Sequence, residues 1–223
     1  MPLRSQNEGL FMPMIFSRRQ LMLLTATGAI LPLFPAIGKG GSLASLLGNA
    51  SDSALDKLGK PGAFYADKAI RILLPGGKTV SKLLDVGAKA GLTDGLVRRL
   101  NDAAGLAAKE AKPIFRGAIN NVSLNDIPGI ATKSDGATQY LRQSAGSDLR
   151  LKMTPLIESA LGQVGAFDQI DKLGKAGSLV SPLGLNRAKL TDSVSDQALK
   201  GIFSYIGQEE AKLRKNPLKI LGI

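Results

Sequence analysis

Residues 93–122, TDGLVRRLNDAAGLAAKEAKPIFRGAINNV, decide the fold class. Their apolar positions Leu96, Leu100, Ala104, Ala107, Ala111, Phe115, Ala118 and Val122 recur every three or four residues, the rhythm of one buried helical face. Thr93 stands where a helix cap belongs. Pro113 lacks the backbone donor of a continuous helix and crowds the carbonyl four residues back, so the helix should kink or divide near Lys109.

The same rhythm extends in both directions. Ser42 can cap a helix or helix pair carrying Leu43, Leu46, Leu47, Ala54, Leu55 and Leu58, stopped by Gly59-Lys60-Pro61-Gly62. Ile70, Ile72 and Leu74 alternate with Arg71 and Leu73 before Pro75-Gly76-Gly77, which suits a short extended segment or packed loop better than a helix. A helix is predicted over 79–90. Beyond residue 122, Ser123-Leu-Asn-Asp126 has capping-box form, Asp135 can start a helix with Ala137, Tyr140 and Leu141, and further helices are predicted over 149–164 and 167–173. The Gly, Ser, Pro182 and Asn content of 174–190 predicts a long loop. Ser195 then caps a final helix through Ala198, Leu199, Ile202, Phe203 and Ile206, ended by Asn216-Pro217. No repeat of fixed period and no sheet pattern occurs. The expectation is an all-α protein, a single irregular multi-helix bundle with one short extended segment near Ile70 to Leu74, preceded by a signal peptide.

Composition bounds the chemistry. A chain of 223 residues predicts one domain, with room for an extension. Aromatic residues are only 4% and Trp is absent, so the core must be built from Leu, Ile, Val and Ala, with moderate stability. The chain has no Cys and no His. Disulfides, thiolate catalysis and Ser-His-Asp or Cys-His catalysis are therefore excluded, and the usual zinc, copper and haem ligands are missing. No catalytic residue, metal site or cofactor is assigned. The net charge of +11 points to an anionic partner, although the basic residues are spread along the chain rather than gathered in a block.

The amino terminus has the layout of an export signal. Ser17, Arg18 and Arg19 precede an uncharged apolar run over 21–37, and the paired arginines resemble the twin-arginine motif, with Leu21 where an aromatic is customary. The general secretory route is the alternative. A spanning anchor usually needs about 20 apolar residues, whereas this run has 17 and contains Pro32 and Pro35. Ala36 and Gly38 suit cleavage after Gly38, which removes three basic residues and one acidic residue and leaves a net charge of +9. The expected location is the periplasm. The expected organisation is extension and signal over 1–38, a helical segment over 39–58, a helical domain over 59–217 and a short tail over 218–223.

Seven stretches carry a family resemblance. They are Gly59-Lys-Pro-Gly-Ala-Phe-Tyr65, Ile70-Arg-Ile-Leu-Leu-Pro-Gly76, Glu110-Ala-Lys-Pro-Ile-Phe115 with Ala118-Ile119, Gly136-Ala-Thr-Gln-Tyr140, Met153-Thr-Pro-Leu-Ile157, Val194-Ser-Asp-Gln-Ala-Leu-Lys-Gly-Ile-Phe203 and Glu209-Glu-Ala-Lys-Leu-Arg214. In order and spacing the chain resembles the bacterial domain of unknown function 4197. The resemblance implies an exported helical protein and no established activity. Residues 218–223 depart from it, replacing a longer tail.

Two polar groups are candidate ligand contacts. Glu110, Lys112 and Arg116 flank the Pro113 break, and Gln139, Tyr140 and Arg142 form a second group; Arg116 or Arg142 can grip an anion while Gln139 and Tyr140 orient it by hydrogen bonds. The competing structural interpretation is that these groups fix helix packing. Pro75-Gly-Gly-Lys-Thr79 imitates a phosphate-binding loop but has Ile72 where the first glycine is needed. Adjacent Glu209 and Glu210 point about 100° apart on a helix and do not converge as a catalytic pair. These features favour a noncatalytic envelope protein that binds a partner, which can be an anionic envelope component, a lipid or another envelope protein, or else an anionic or amphipathic ligand. The alternative is a periplasmic enzyme using carboxylate, Lys or Tyr chemistry around Glu110 and Tyr140. Few aromatics are available to stack bases, which argues against nucleic acid.

Overall fold

A computed structural model of the chain describes residues 43–76, 92–122, 130, 132–175 and 185–216. Among the described residues the backbone forms seven helices and no strand, the all-α bundle that the periodicities predict. The helices are α1 Leu43–Leu58, α2 Ala63–Ala66, α3 Leu92–Glu110, α4 Lys112–Asn120, α5 Gly136–Gln163, α6 Ala166–Lys175 and α7 Arg187–Lys215. The predicted helix over 79–90, the Ser123 capping box, the caps before residue 43, the export motif at Ser17, Arg18 and Arg19, and the tail from residue 217 lie outside the described residues.

α7 packs against both α1 and α5. It can do so because Leu190, Val194, Ala198, Ile202 and Ile206 recur every four residues and are wholly buried. Phe115 of α4 meets Phe203 of α7 edge-on, with ring centroids 6.0 Å apart. Such a pair adds about 1 kcal/mol beyond its buried area. The Pro113 break falls at Ala111, between α3 and α4, and places the proline in the first turn of α4, where no backbone donor is required.

Three boundaries differ from the sequence-based expectation. Thr93, expected as a cap, lies inside α3, which begins at Leu92. The helices predicted to start at Asp135 and over 149–164 are one helix of 28 residues that contains Pro155. The carbonyl that Pro155 cannot bond belongs to Leu151, which is 69% exposed, so the break falls on the solvent side of the helix. The final helix begins at Arg187 rather than at Ser195. Its cap is Asn186, whose side chain accepts from the Lys189 amide at 2.8 Å, and Ser195 is buried in mid-helix. The long loop expected to end at residue 190 therefore gives up its last residues to α7.

The non-helical segment after α2 is held by side chains. Ile72 N–H donates to Asn101 Oδ1 at 2.8 Å, and Asn101 Nδ2 donates back to the Ile72 carbonyl at 2.9 Å. Leu73 makes the same exchange with Gln197, at 3.0 and 2.9 Å. Successive residues thus face opposite partners, as in a β-ladder, with amides from α3 and α7 in the place of neighbouring strands. Ile70, Ile72 and Leu74 are buried in the core.

Candidate functional site

The site is built where α5 and α7 run side by side. Asp135, at the start of α5, lies beside Gly207, while Arg150 further along α5 bonds Asp196 and Asp192, so the two helices are antiparallel. Three locks fix α5 and α7 in place at the Asp135 end.

The first lock is Glu210, fully buried on α7. Its carboxylate accepts from Ala137 N–H at 3.1 Å, Thr138 N–H at 2.8 Å and the Thr138 hydroxyl at 2.6 Å. These are orphan donors of the first turn of α5, and Asp135 at the cap position makes no side-chain capping bond to them. A carboxylate from another helix takes over the capping role and also sits at the positive end of the α5 dipole. Arg214 balances its charge with two bonds at 2.7 and 2.8 Å and donates onward to the Ile130 carbonyl at 3.2 Å. The second lock is steric: a Cβ on Gly136 would lie 3.0 Å from the Ile130 carbonyl carbon and nearer still to its oxygen. The third is Glu209, which turns the other way and ties α7 to α1 through Lys57 at 2.5 Å and Ser53 at 2.8 Å, with Lys212 at 2.7 Å. Burial raises the pKa of Glu209, yet the bonds from Lys212, Lys57 and Ser53 outweigh it and hold the carboxyl at about 2.

Beside these locks runs an open groove of about 540 Å³, lined on α5 by Asp135, Thr138, Gln139 and Arg142 and on α7 by Lys200, Phe203, Ser204, Gly207, Gln208 and Ala211. A second groove of about 270 Å³ shares Arg142, Lys200 and Phe203 with it and continues past Gly146 and Ser147 to Arg150 and Asp196. The two grooves adjoin at Arg142, Lys200 and Phe203.

Arg142 differs from the other described arginines. Arg116 is held by Asp52 and Asn49, Arg98 by Asp94, Arg150 by Asp192 and Asp196, and Arg187 by Asp171. Arg71, Arg99 and Arg214 also donate to acceptors of the fold. Among the described residues Arg142 is the one arginine with no acceptor; Lys200 has none either, as is true also of Lys60, Lys68, Lys109, Lys172 and Lys215, but it alone of these lysines lines the groove. A guanidinium carries five donors and an ammonium three. What the groove offers is unspent positive charge flanked by amides and hydroxyls, the equipment for holding an anionic group.

The six residues proposed from sequence separate. Lys112 pairs with Asp56 at 2.6 Å and Arg116 with Asp52 at 2.8 Å, both on α1, so this pair fastens α4 to α1. Glu110 is exposed at the end of α3. None of these three lines the α5–α7 grooves. Gln139 and Arg142 do line them, with the Gln139 amide donating to Asp135 Oδ1 at 2.8 Å, while Tyr140 is half-buried against the core. Lys200, Ser204 and Gln208 were not singled out from sequence. Their spacing of four along 200, 204 and 208 is the signal that marks them as one polar stripe of α7.

The chain belongs to the family described as protein of unknown function (DUF4197), which matches residues 39–220. No curated protein and no solved structure gives a significant match. Three of the joints just described involve stretches that carry the family resemblance. Gly136 to Tyr140 meets Glu209 to Arg214, Asn101 and Gln197 clasp the segment after Ile70, and Phe115 packs on Phe203.

Proposed function

We propose that this member of the family is an exported, noncatalytic binding protein of the bacterial envelope, and that the α5–α7 groove receives the anionic group of an anionic or amphipathic ligand. Export rests on the arginine pair at Arg18 and Arg19 and the apolar run over 21–37. Binding rests on one observation, the partnerless Arg142 and Lys200 where two grooves adjoin on a frame locked by Glu210 and Glu209.

Dodecyl phosphate, kept below its micelle concentration, is a suitable probe because it joins an anionic head to an apolar tail. Calorimetric titration of the protein should show salt-sensitive binding that falls at least tenfold, about 1.4 kcal/mol, in the Arg142→Gln/Lys200→Gln variant with its helicity unchanged. Equal affinity of the variant and the parent would overturn the assignment of the groove. For export, intact-mass measurement of the periplasmic fraction should find a chain shortened at the signal; full-length chain confined to the soluble cell interior would refute it.

A further inference from the structure

We infer that the groove takes a zwitterion, specifically a short peptide with free termini, its carboxylate at Arg142 and Lys200 and its ammonium at Asp135. This rests on the proposed anion site and adds the second half of the ligand. Asp135 lines the same groove as the two cations. One of its oxygens accepts from the Gln139 amide at 2.8 Å, and among the described residues no cation is paired with it. Gly207 faces it from α7: a Cβ there would lie 3.3 Å from Asp135 Cβ and 3.6 Å from Oδ2, so the glycine leaves space beside the carboxylate that a larger residue would fill.

The charges of the groove are therefore separated but not cancelled. Asp135 and Arg142 are seven residues apart, two turns along one face of α5, which places their backbones about 10 Å apart. Left to themselves, opposite charges sharing a groove lower their energy by pairing, and here the side chains hold an acidic and a basic group apart. A bare anion would be attracted by Arg142 and Lys200 and repelled by Asp135. A ligand with an ammonium at one end and a carboxylate at the other satisfies both, and an extended tripeptide spans about 10 Å. The groove is open to solvent, and Gly207 and Ala211 are small, which leaves room for a peptide backbone along α7.

The test is an NMR titration of the full chain with trialanine, N-acetyl-trialanine and trialanine amide. Trialanine should bind at least fivefold more tightly than either blocked peptide, a comparison that needs no variant. Asp135→Asn keeps the bond to Gln139 and should weaken trialanine at least fivefold while leaving N-acetyl-trialanine unchanged or tighter, because the repulsion of its lone carboxylate is removed. Equal binding of trialanine and its acetylated form, a parallel change of both in Asp135→Asn, or no binding of any of the three would overturn the zwitterion inference. If dodecyl phosphate binding still depends on Arg142 and Lys200 in those cases, the anion site stands alone; if that dependence is also missing, both fall.

Discussion

Asn101 and Ile72 exchange two hydrogen bonds, the side-chain amide of one closing on the backbone N–H and carbonyl of the other at 2.8 and 2.9 Å. Asn101 is buried and also donates to the Val97 carbonyl of its own helix at 2.8 Å. A buried segment that is neither helix nor strand has no ladder to satisfy its polar groups, and leaving a backbone group unpaired costs about 1–3 kcal/mol. A side-chain amide carries its donor and its acceptor on two separate atoms of one plane, as a neighbouring backbone would, which is why Asn101 and Gln197 suit these two places.

Asn101→Ala should therefore destabilise the fold by about 2–4 kcal/mol, since it orphans both polar groups of Ile72. Asn101→Asp should be comparably poor, because a carboxylate cannot donate to the Ile72 carbonyl. Gln197→Ala, at a half-buried position open to rescue by water, should cost about 1 kcal/mol. Urea unfolding followed by circular dichroism measures all three; an Asn101→Ala loss no larger than that of Gln197→Ala would contradict the clasp.

Glu210 gives a sharper test, because its two duties can be separated. Glu210→Gln leaves Arg214 largely buried without a countercharge and should cost about 3–5 kcal/mol. Replacing both residues by Met removes the charges together and should recover part of that loss. Recovery should stop short of the parent, since Ala137 and Thr138 still lack an acceptor. Full recovery in the double variant would mean that the carboxylate does not cap α5.

The break at Pro113 and the clasped segment were legible because each is written in local chemistry, a missing donor in one and an alternation of apolar residues in the other. The continuity of α5 was not. Gly146, Ser147 and Pro155 resemble interruptions, and only the exposure of Leu151 reveals that the broken bond falls on the solvent side. The start of α7 was obscured in the same way, by the Gly- and Pro-rich approach to Asn186. At the site, the i,i+4 spacing of Glu210 and Arg214 was visible, but sequence spacing does not report that a distant helix end supplies the remaining donors. Lys112 and Arg116 illustrate the converse: side chains suited to a ligand were spent on Asp56 and Asp52, residues more than fifty positions away.

Acid should expose the contribution of Glu209. Its carboxyl titrates at about 2 in the folded protein against an ordinary value of 4.5, so its stabilisation is present above pH 4.5 and is lost as pH falls toward 2. The amount is on the order of 2 kcal/mol. Asp67, lowered by the Ala69 amide and the Tyr205 hydroxyl, and Asp94, lowered by Tyr65 and Arg98, act in the same direction. Glu209→Gln should flatten the dependence of unfolding free energy on pH between 5 and 2 without abolishing it. An unchanged acid limb in that variant would show that Glu209 is not held as described.

Two glycines should respond to the same substitution with opposite signs. Gly136→Ala drives a methyl group into the Ile130 carbonyl, a backbone group fixed by Arg214 that cannot swing aside, and should destabilise by about 1–3 kcal/mol. Gly117 lies exposed within α4 with nothing inside 4 Å of the added carbon. There alanine only restricts the unfolded chain and improves helix propensity, so Gly117→Ala should stabilise by about 1 kcal/mol. Thermal unfolding of the two variants should move the midpoint in opposite directions by several degrees. A stable Gly136→Ala protein would mean that the start of α5 can retreat from Ile130, and the groove that depends on that register would lose its fixed frame.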